Sequence, residues 1–136
     1  MMLNGWLKNT TDMETKFNFK SQICTSVEQS RMLLELGLNK ETADMHWFYT
    51  GKIHGWQCCV QCYQDAIAEP FRKEDATNGN ILPAWSLGRL IEVLKRGCGI
   101  GDWNYMELSY NHPMEDLLGR IETIIISNNF NNEYLV

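Results

Sequence analysis

Proline and histidine are scarce in this chain, three of each in 136 residues, and basic charge almost disappears from one end. From residue 100 onward a single base, Arg120, stands against six acids: Asp102, Glu107, Glu115, Asp116, Glu122 and Glu133. Residues 1–99 balance 11 Lys/Arg against 11 Asp/Glu, so the whole formal charge of −5 lies in the last quarter. A phosphate backbone is repelled by such an end, and no basic stripe compensates elsewhere, which argues against direct nucleic-acid binding. Long apolar runs are also missing, so no helix is expected to cross a membrane. Lys8, Lys16 and Lys20 are accompanied by no apolar run of seven or more, so no export signal is read near the N-terminus. With an odd set of five cysteines (Cys24, Cys58, Cys59, Cys62 and Cys98), this makes reduced thiols in a cytoplasm the expectation.

What is present is enough for a core. Hydrophobic residues make up 44% of the chain. A domain of this length buries roughly 65–70% of its unfolded surface, and needs neither disulfide nor metal to fold. Residues 1–15 have no period of two or of 3.6 and read as a flexible extension. Residues 16–136 read as a single α+β domain. Phe17 and Phe19 alternate with polar neighbours over a short strand. Thr25-Ser26-Val27-Glu28 has the form of a capping box opening a helix to about Leu36, which Gly37 closes and Leu38 folds back upon. Lys40 to Asp44 reads as one further helical turn. Met45 to Thr50 and His54 to Tyr63 read as strands, the second with Trp56, Cys58, Val60 and Cys62 on one face and Gln57, Cys59 and Gln61 on the other.

Residues 69–80 are polar, carry Pro70 and Gly79, and read as a loop. Ser86 caps a second helix with Leu87, Leu90, Ile91 and Leu94 at i, i+3, i+4 and i+7, and Trp85 before the cap is placed to staple onto Leu90. Gly97 ends that helix, and Gly99 and Gly101 continue the turn. Trp103 to Tyr110 reads as a strand. Pro113 starts a third helix with a stripe of Met114, Leu117, Leu118, Ile121, Ile124 and Ile125. Glu133 to Val136 reads as a tail. The expected architecture is a mostly antiparallel sheet of about four strands with about three helices packed on one face.

Three stretches carry a family likeness: 22–26 through Leu36-Gly37-Leu38 with Glu41-Thr42-Ala43-Asp44-Met45; Leu82-Pro83-Ala84-Trp85-Ser86-Leu87 through Glu92-Val93-Leu94; and the helix after Asn111-His112-Pro113. Together they resemble a family of small uncharacterised proteins common in gut-bacterial genomes and in their phages and mobile elements. The likeness covers roughly residues 20–128, with a divergent middle at 50–80. It implies a bacterial or phage cytoplasmic setting and an accessory role. It transfers no catalytic residue.

Candidate chemistry is sparse. His54, Cys58, Cys59 and Cys62 are the metal candidates, because zinc takes thiolate and imidazole and Cys59-x-x-Cys62 has finger-like spacing. Only one such cluster exists, and strand alternation turns Cys59 away from Cys58 and Cys62, so buried or surface thiols are the simpler reading. A redox Cys-x-x-Cys normally opens a helix, whereas this one falls within a predicted strand. His46 lies between aromatics as a half-buried side chain, and His112 stands at a helix-cap position. Glycines 97, 99 and 101 follow a helix and precede a strand, the reverse of a dinucleotide loop. No catalytic residue and no cofactor is assigned. The remaining signal is the aromatics and the acidic third helix, with Trp47, Trp103, Glu115, Asp116 and Glu122 as candidate contacts for an unknown protein partner or a homo-oligomer. The leading expectation is a non-enzymatic interaction protein. The alternative is a zinc-binding or thiol-based enzyme using the 54–62 segment.

Overall fold

Helix α1 spans Val27–Glu35 in the computed structural model, which describes residues 22–98 and 112–136. The extension expected over 1–15, the strands expected over 16–20 and 103–110, and the glycine turn at 99–101 lie outside the described residues. The capping box of α1 is one residue later than its sequence suggests. Ser26 Oγ accepts from the Gln29 N–H at 3.1 Å, and Gln29 Oε1 accepts from the Ser26 N–H at 2.9 Å. Thr25 cannot cap because it is occupied elsewhere: its N–H donates to the Trp85 carbonyl at 2.9 Å, and its hydroxyl accepts from the Trp85 N–H at 3.1 Å. The far end closes as expected. Gly37 adopts φ +98°, its N–H donates to Leu34 O, and the Leu38 N–H donates to Leu33 O, both at 3.0 Å. Leu33 and Leu38 are fully buried as a result.

After a 3-10 turn at Lys40–Thr42 come β1, Met45–Tyr49, and β2, Trp56–Cys59. β3, Ile81–Ala84, completes an all-antiparallel sheet in the order β2-β1-β3. The described sheet thus has three strands where about four were expected, and two expectations need correcting. First, the strand read over 54–63 stops at Cys59, and Cys62 instead occupies the N-cap of α2, Tyr63–Ala68. Tyr63 and Ala66, at i and i+3, are its buried stripe, and a helix can bury both where an alternating strand could not. Second, the polar stretch 69–80 is not a loop: a 3-10 turn at Pro70–Arg72 leads into α3, Lys73–Thr77. Among the described residues β3 pairs only with β1, so the missing N–H of Pro83 costs no ladder bond there.

α4 spans Leu87–Cys98 and α5 spans Pro113–Ile126. Ser86 Oγ accepts from the Arg89 N–H at 3.1 Å, as a cap should. Leu90, Val93 and Leu94 of α4 and Met114, Leu117, Leu118 and Ile121 of α5 share one core with Trp85, Leu33 and Leu38. The result is a single α+β domain, with five described helices where about three were expected. The C-terminal residues are pinned instead of trailing. Leu135 bridges Leu38, and the Val136 N–H donates to Gly37 O at 2.7 Å.

Gly97 does not end α4. The helix runs through it to Cys98, and it is buried with the Phe130 ring lying flat against it, so that a Cβ there would overlap that ring. Phe130 has little room to retreat: it is itself buried, and the next residue's N–H donates to the Gly97 carbonyl at 2.5 Å. Gly97→Ala gains about 1 kcal/mol of helix propensity but overpacks a filled site, which costs up to about 3 kcal/mol. We expect overpacking to win, with a net loss of about 2 kcal/mol. In urea unfolding, Phe130→Leu combined with Gly97→Ala should cost clearly less than the sum of the two single changes.

Candidate functional site

The sheet has two unlike faces. His46, Phe48, Ile81 and Pro83 share one, by the register His46↔Pro83 and Phe48↔Ile81. Ile81 belongs to the main core and Phe48 packs against it. The Arg72 guanidinium stacks 4.3 Å from the Phe48 ring centroid. His46 is fully buried here, deeper than the half-buried position expected for it. Its Nδ1 lies 2.7 Å from the Gln61 carbonyl; a carbonyl only accepts, so Nδ1 carries a proton. Its Nε2 has no hydrogen-bond partner among the described residues.

Met45, Trp47 and Tyr49 share the opposite face with Ala84, Cys58 and Trp56. Tyr49 and Trp56 stack at a tilt, 5.3 Å between centroids. The segment 22–26, entering α1, lies against this face. The Trp47 indole N–H donates to the Thr25 carbonyl at 2.8 Å, and Cys24 packs with Met45, Ala84 and Trp47. Between the segment and β2 lies an open groove of about 490 Å³. Met45, Trp47, Cys24 and Cys58 line it, and Ile23 and Val60 stand on its rims, 79% and 83% exposed. Two strongly exposed branched side chains flanking one apolar trough form a surface that water covers poorly.

At the groove the sulfurs of Cys24 and Cys58 lie 3.0 Å apart, both as free thiols. Burial pushes the Cys24 thiol far above the usual thiol range, and the neighbouring Cys58 thiol and the Asp44 carboxylate add to the effect. No sequence signal joins these two residues, which are 34 positions apart.

The other residues singled out in the sequence are dispersed. His54 is exposed in the β1–β2 turn, its carbonyl accepting from Gln57 Nε2 at 2.8 Å. Cys59 shares the His46 side of the sheet, away from Cys58. Cys62 is half-buried at the start of α2 and makes no side-chain cap bond. Among the described residues, no three His, Cys, Asp or Glu side chains gather closely enough to hold a metal ion. Trp103 lies outside the described residues. Glu115, Asp116 and Glu122 lie on α5, where a second trough, of about 420 Å³, runs along the helix. Asp116 and Arg120 are paired across one turn of it at 3.5 Å. Its described lining residues all belong to α5. The groove beside Trp47 draws on the entry segment, β1 and β2, and is the better-built site.

Several side chains between Thr25 and Asp44 and between Trp85 and Arg89 converge at a second place. The Trp85 indole N–H donates to Thr42 Oγ1 at 2.9 Å, and the Thr42 hydroxyl donates to the Asn39 carbonyl at 2.6 Å. The Asp44 carboxylate accepts from the Ser86 N–H at 2.9 Å and from its hydroxyl at 2.6 Å. Arg89 Nε donates to Thr42 O at 2.7 Å, and Thr25 Oγ1 lies 2.8 Å from Ser30 Oγ. These side chains knit the entry to α1, the 3-10 turn and the start of α4 together. These bonds are all made within the protein, so folding accounts for these side chains.

No described helix is long and apolar enough to cross a membrane. Compared with known proteins, the chain matches no family model, no curated protein and no solved structure.

Proposed function

We propose that the protein is a non-enzymatic accessory module that binds an extended, apolar segment of a partner polypeptide in the groove beside Trp47. The observation that carries this reading is the groove itself, whose floor is Met45 and Trp47 and whose rims are the exposed Ile23 and Val60. Interfaces draw most of their affinity from a few aromatic and apolar anchors around such a pocket. β2 adds a second means of recognition. Among the described residues it pairs only with β1, so its other edge can receive an extended chain while side chains enter the groove. The formal charge of −5 favours a partner segment that also carries basic residues. A bacterial or phage cytoplasmic setting, as the family resemblance implies, and a reducing compartment for the five free thiols complete the reading.

Selection from a random peptide library displayed on phage tests it. The expected result is enrichment of peptides with two or more large apolar residues at alternate positions. Their affinity should fall at least about tenfold with Val60→Asp, which a loss of one anchor contact of about 1.4 kcal/mol produces. Glu122→Gln on α5 should leave binding unchanged. Equal enrichment on wild type and Val60→Asp would contradict the reading. Light scattering at micromolar concentration reports whether a second copy of the chain fills the groove instead.

A further inference from the structure

We infer that Cys24 and Cys58 form a reversible disulfide bond, making this pair a built-in modification site for peroxide. The inference stands on the placement of the two sulfurs and does not require the groove to have an occupant.

The pair is held before any oxidation. Cys24 is fixed by its bridge to Ser86 and by the adjacent Thr25 N–H bond to Trp85 O. Cys58 is fixed in β2, opposite Trp47. The Trp47 indole bond to Thr25 O ties the two segments together at 2.8 Å. The sulfurs, 3.0 Å apart, need to close by about 1 Å to reach the ~2.05 Å of a disulfide bond. Cys59 and Cys62 are closer to Cys58 in sequence, but Cys59 is on the opposite face and Cys62 is beyond the strand end. Cys58 is exposed and Cys24 is buried, so one sulfur meets the oxidant and the other resolves it.

The chemistry balances with one peroxide. Cys58 loses its proton, and its sulfur attacks one peroxide oxygen. The O–O bond breaks, Cys58 becomes a sulfenic acid, and the departing hydroxide takes a proton and leaves as water. The Cys24 sulfur then attacks the Cys58 sulfur. The S–O bond breaks, and the second hydroxide leaves as water with the Cys24 proton. Two thiols have given up two electrons and two protons, and the peroxide is reduced to two waters. A dithiol reductant returns the pair to thiols by exchange through a mixed disulfide.

The test is a short treatment of the reduced, full-length protein with one equivalent of hydrogen peroxide, followed by catalase, alkylation and non-reducing tryptic mapping. The expected product joins peptide 21–31, which holds Cys24 alone, to peptide 53–72, which holds Cys58, Cys59 and Cys62. Dithiothreitol should reverse the link. Cys58→Ser, an exposed change that leaves the fold intact by circular dichroism, should abolish it, while Cys59→Ser and Cys62→Ser should retain it. The oxidised wild type should melt at least about 5 °C above the reduced form, because a native-geometry bond closing this loop restricts the unfolded chain. A Cys24 that stays open to alkylation after oxidation and unfolding would overturn the inference. So would a link that survives Cys58→Ser, a link between two chains, or a melting temperature that falls.

Discussion

Replacing Trp85 with alanine should lower the unfolding free energy by about 4 kcal/mol, the range seen when a large aromatic leaves a buried site. Trp85 is fully buried, packs in the main core and donates its indole N–H to Thr42 Oγ1. The alanine removes both the packed volume and the donor. Its neighbours cannot collapse freely, because Thr25 holds the backbone N–H of residue 85, Thr42 donates to the Asn39 carbonyl, and Asp44 accepts from Ser86. Trp85→Phe separates the two contributions. It keeps most of the ring and loses the indole bond, so it should cost about 1–2 kcal/mol. Urea unfolding followed by far-ultraviolet circular dichroism measures both, with an unchanged denaturant slope. A loss under about 1 kcal/mol for Trp85→Ala would show that this network is not what fixes α1 against α4.

Leu90→Asp and Ile121→Asp should each abolish soluble expression. Both residues are fully buried, in the core that α4 and α5 share. An unpaired carboxylate there costs several kcal/mol, a large part of the 5–15 kcal/mol that typically separates folded from unfolded chains. Arg96→Asp, on the exposed side of α4, is the matched control and should stay soluble. Measuring the soluble fraction of the three variants side by side decides the matter. A soluble, folded Leu90→Asp protein would mean that the buried faces of α4 and α5 are wrongly assigned.

The parts of the fold legible in the sequence are those written in short-range signals. Gly37 after a leucine-rich run, Ser86 before a 3.6-period stripe and Pro113 before another all mark their helix ends correctly, because capping and periodicity act within a few residues. β3 escapes notice because four residues, one of them Pro83, carry too little alternation to be seen beside a strong helix cap. α2 and α3 escape for a similar reason: at six and five residues, neither completes a hydrophobic stripe. Thr25 shows the limit most clearly. Its local sequence fits a cap, and only the pairing with Trp85, 60 residues away, shows that Ser26 takes that role.

The candidate site was less legible than the fold. In the sequence Trp47 stands out only by its residue type, and Cys58 only by its neighbours Cys59 and Cys62. The true neighbour of Cys58 is Cys24, brought to it by the sheet register and by the turn of the chain into α1. The polar atoms of Thr42, Asp44, Trp85 and Ser86 satisfy one another inside the protein, so these residues act in folding. The groove between Ile23 and Val60 takes Gln22, Ile23, Cys24 and Ser26 from one stretch and Met45, Trp47, Cys58 and Val60 from two others, so no single spacing in the sequence marks it.

The most direct measurement is a nitrogen–proton NMR titration of the isotope-labelled protein with a peptide taken from the library selection. The account predicts shifts at the Trp47 indole N–H, at Ile23 and at Val60, with Glu115, Asp116 and Glu122 unmoved. Shifts confined to α5, with the Trp47 indole signal unchanged, would contradict it.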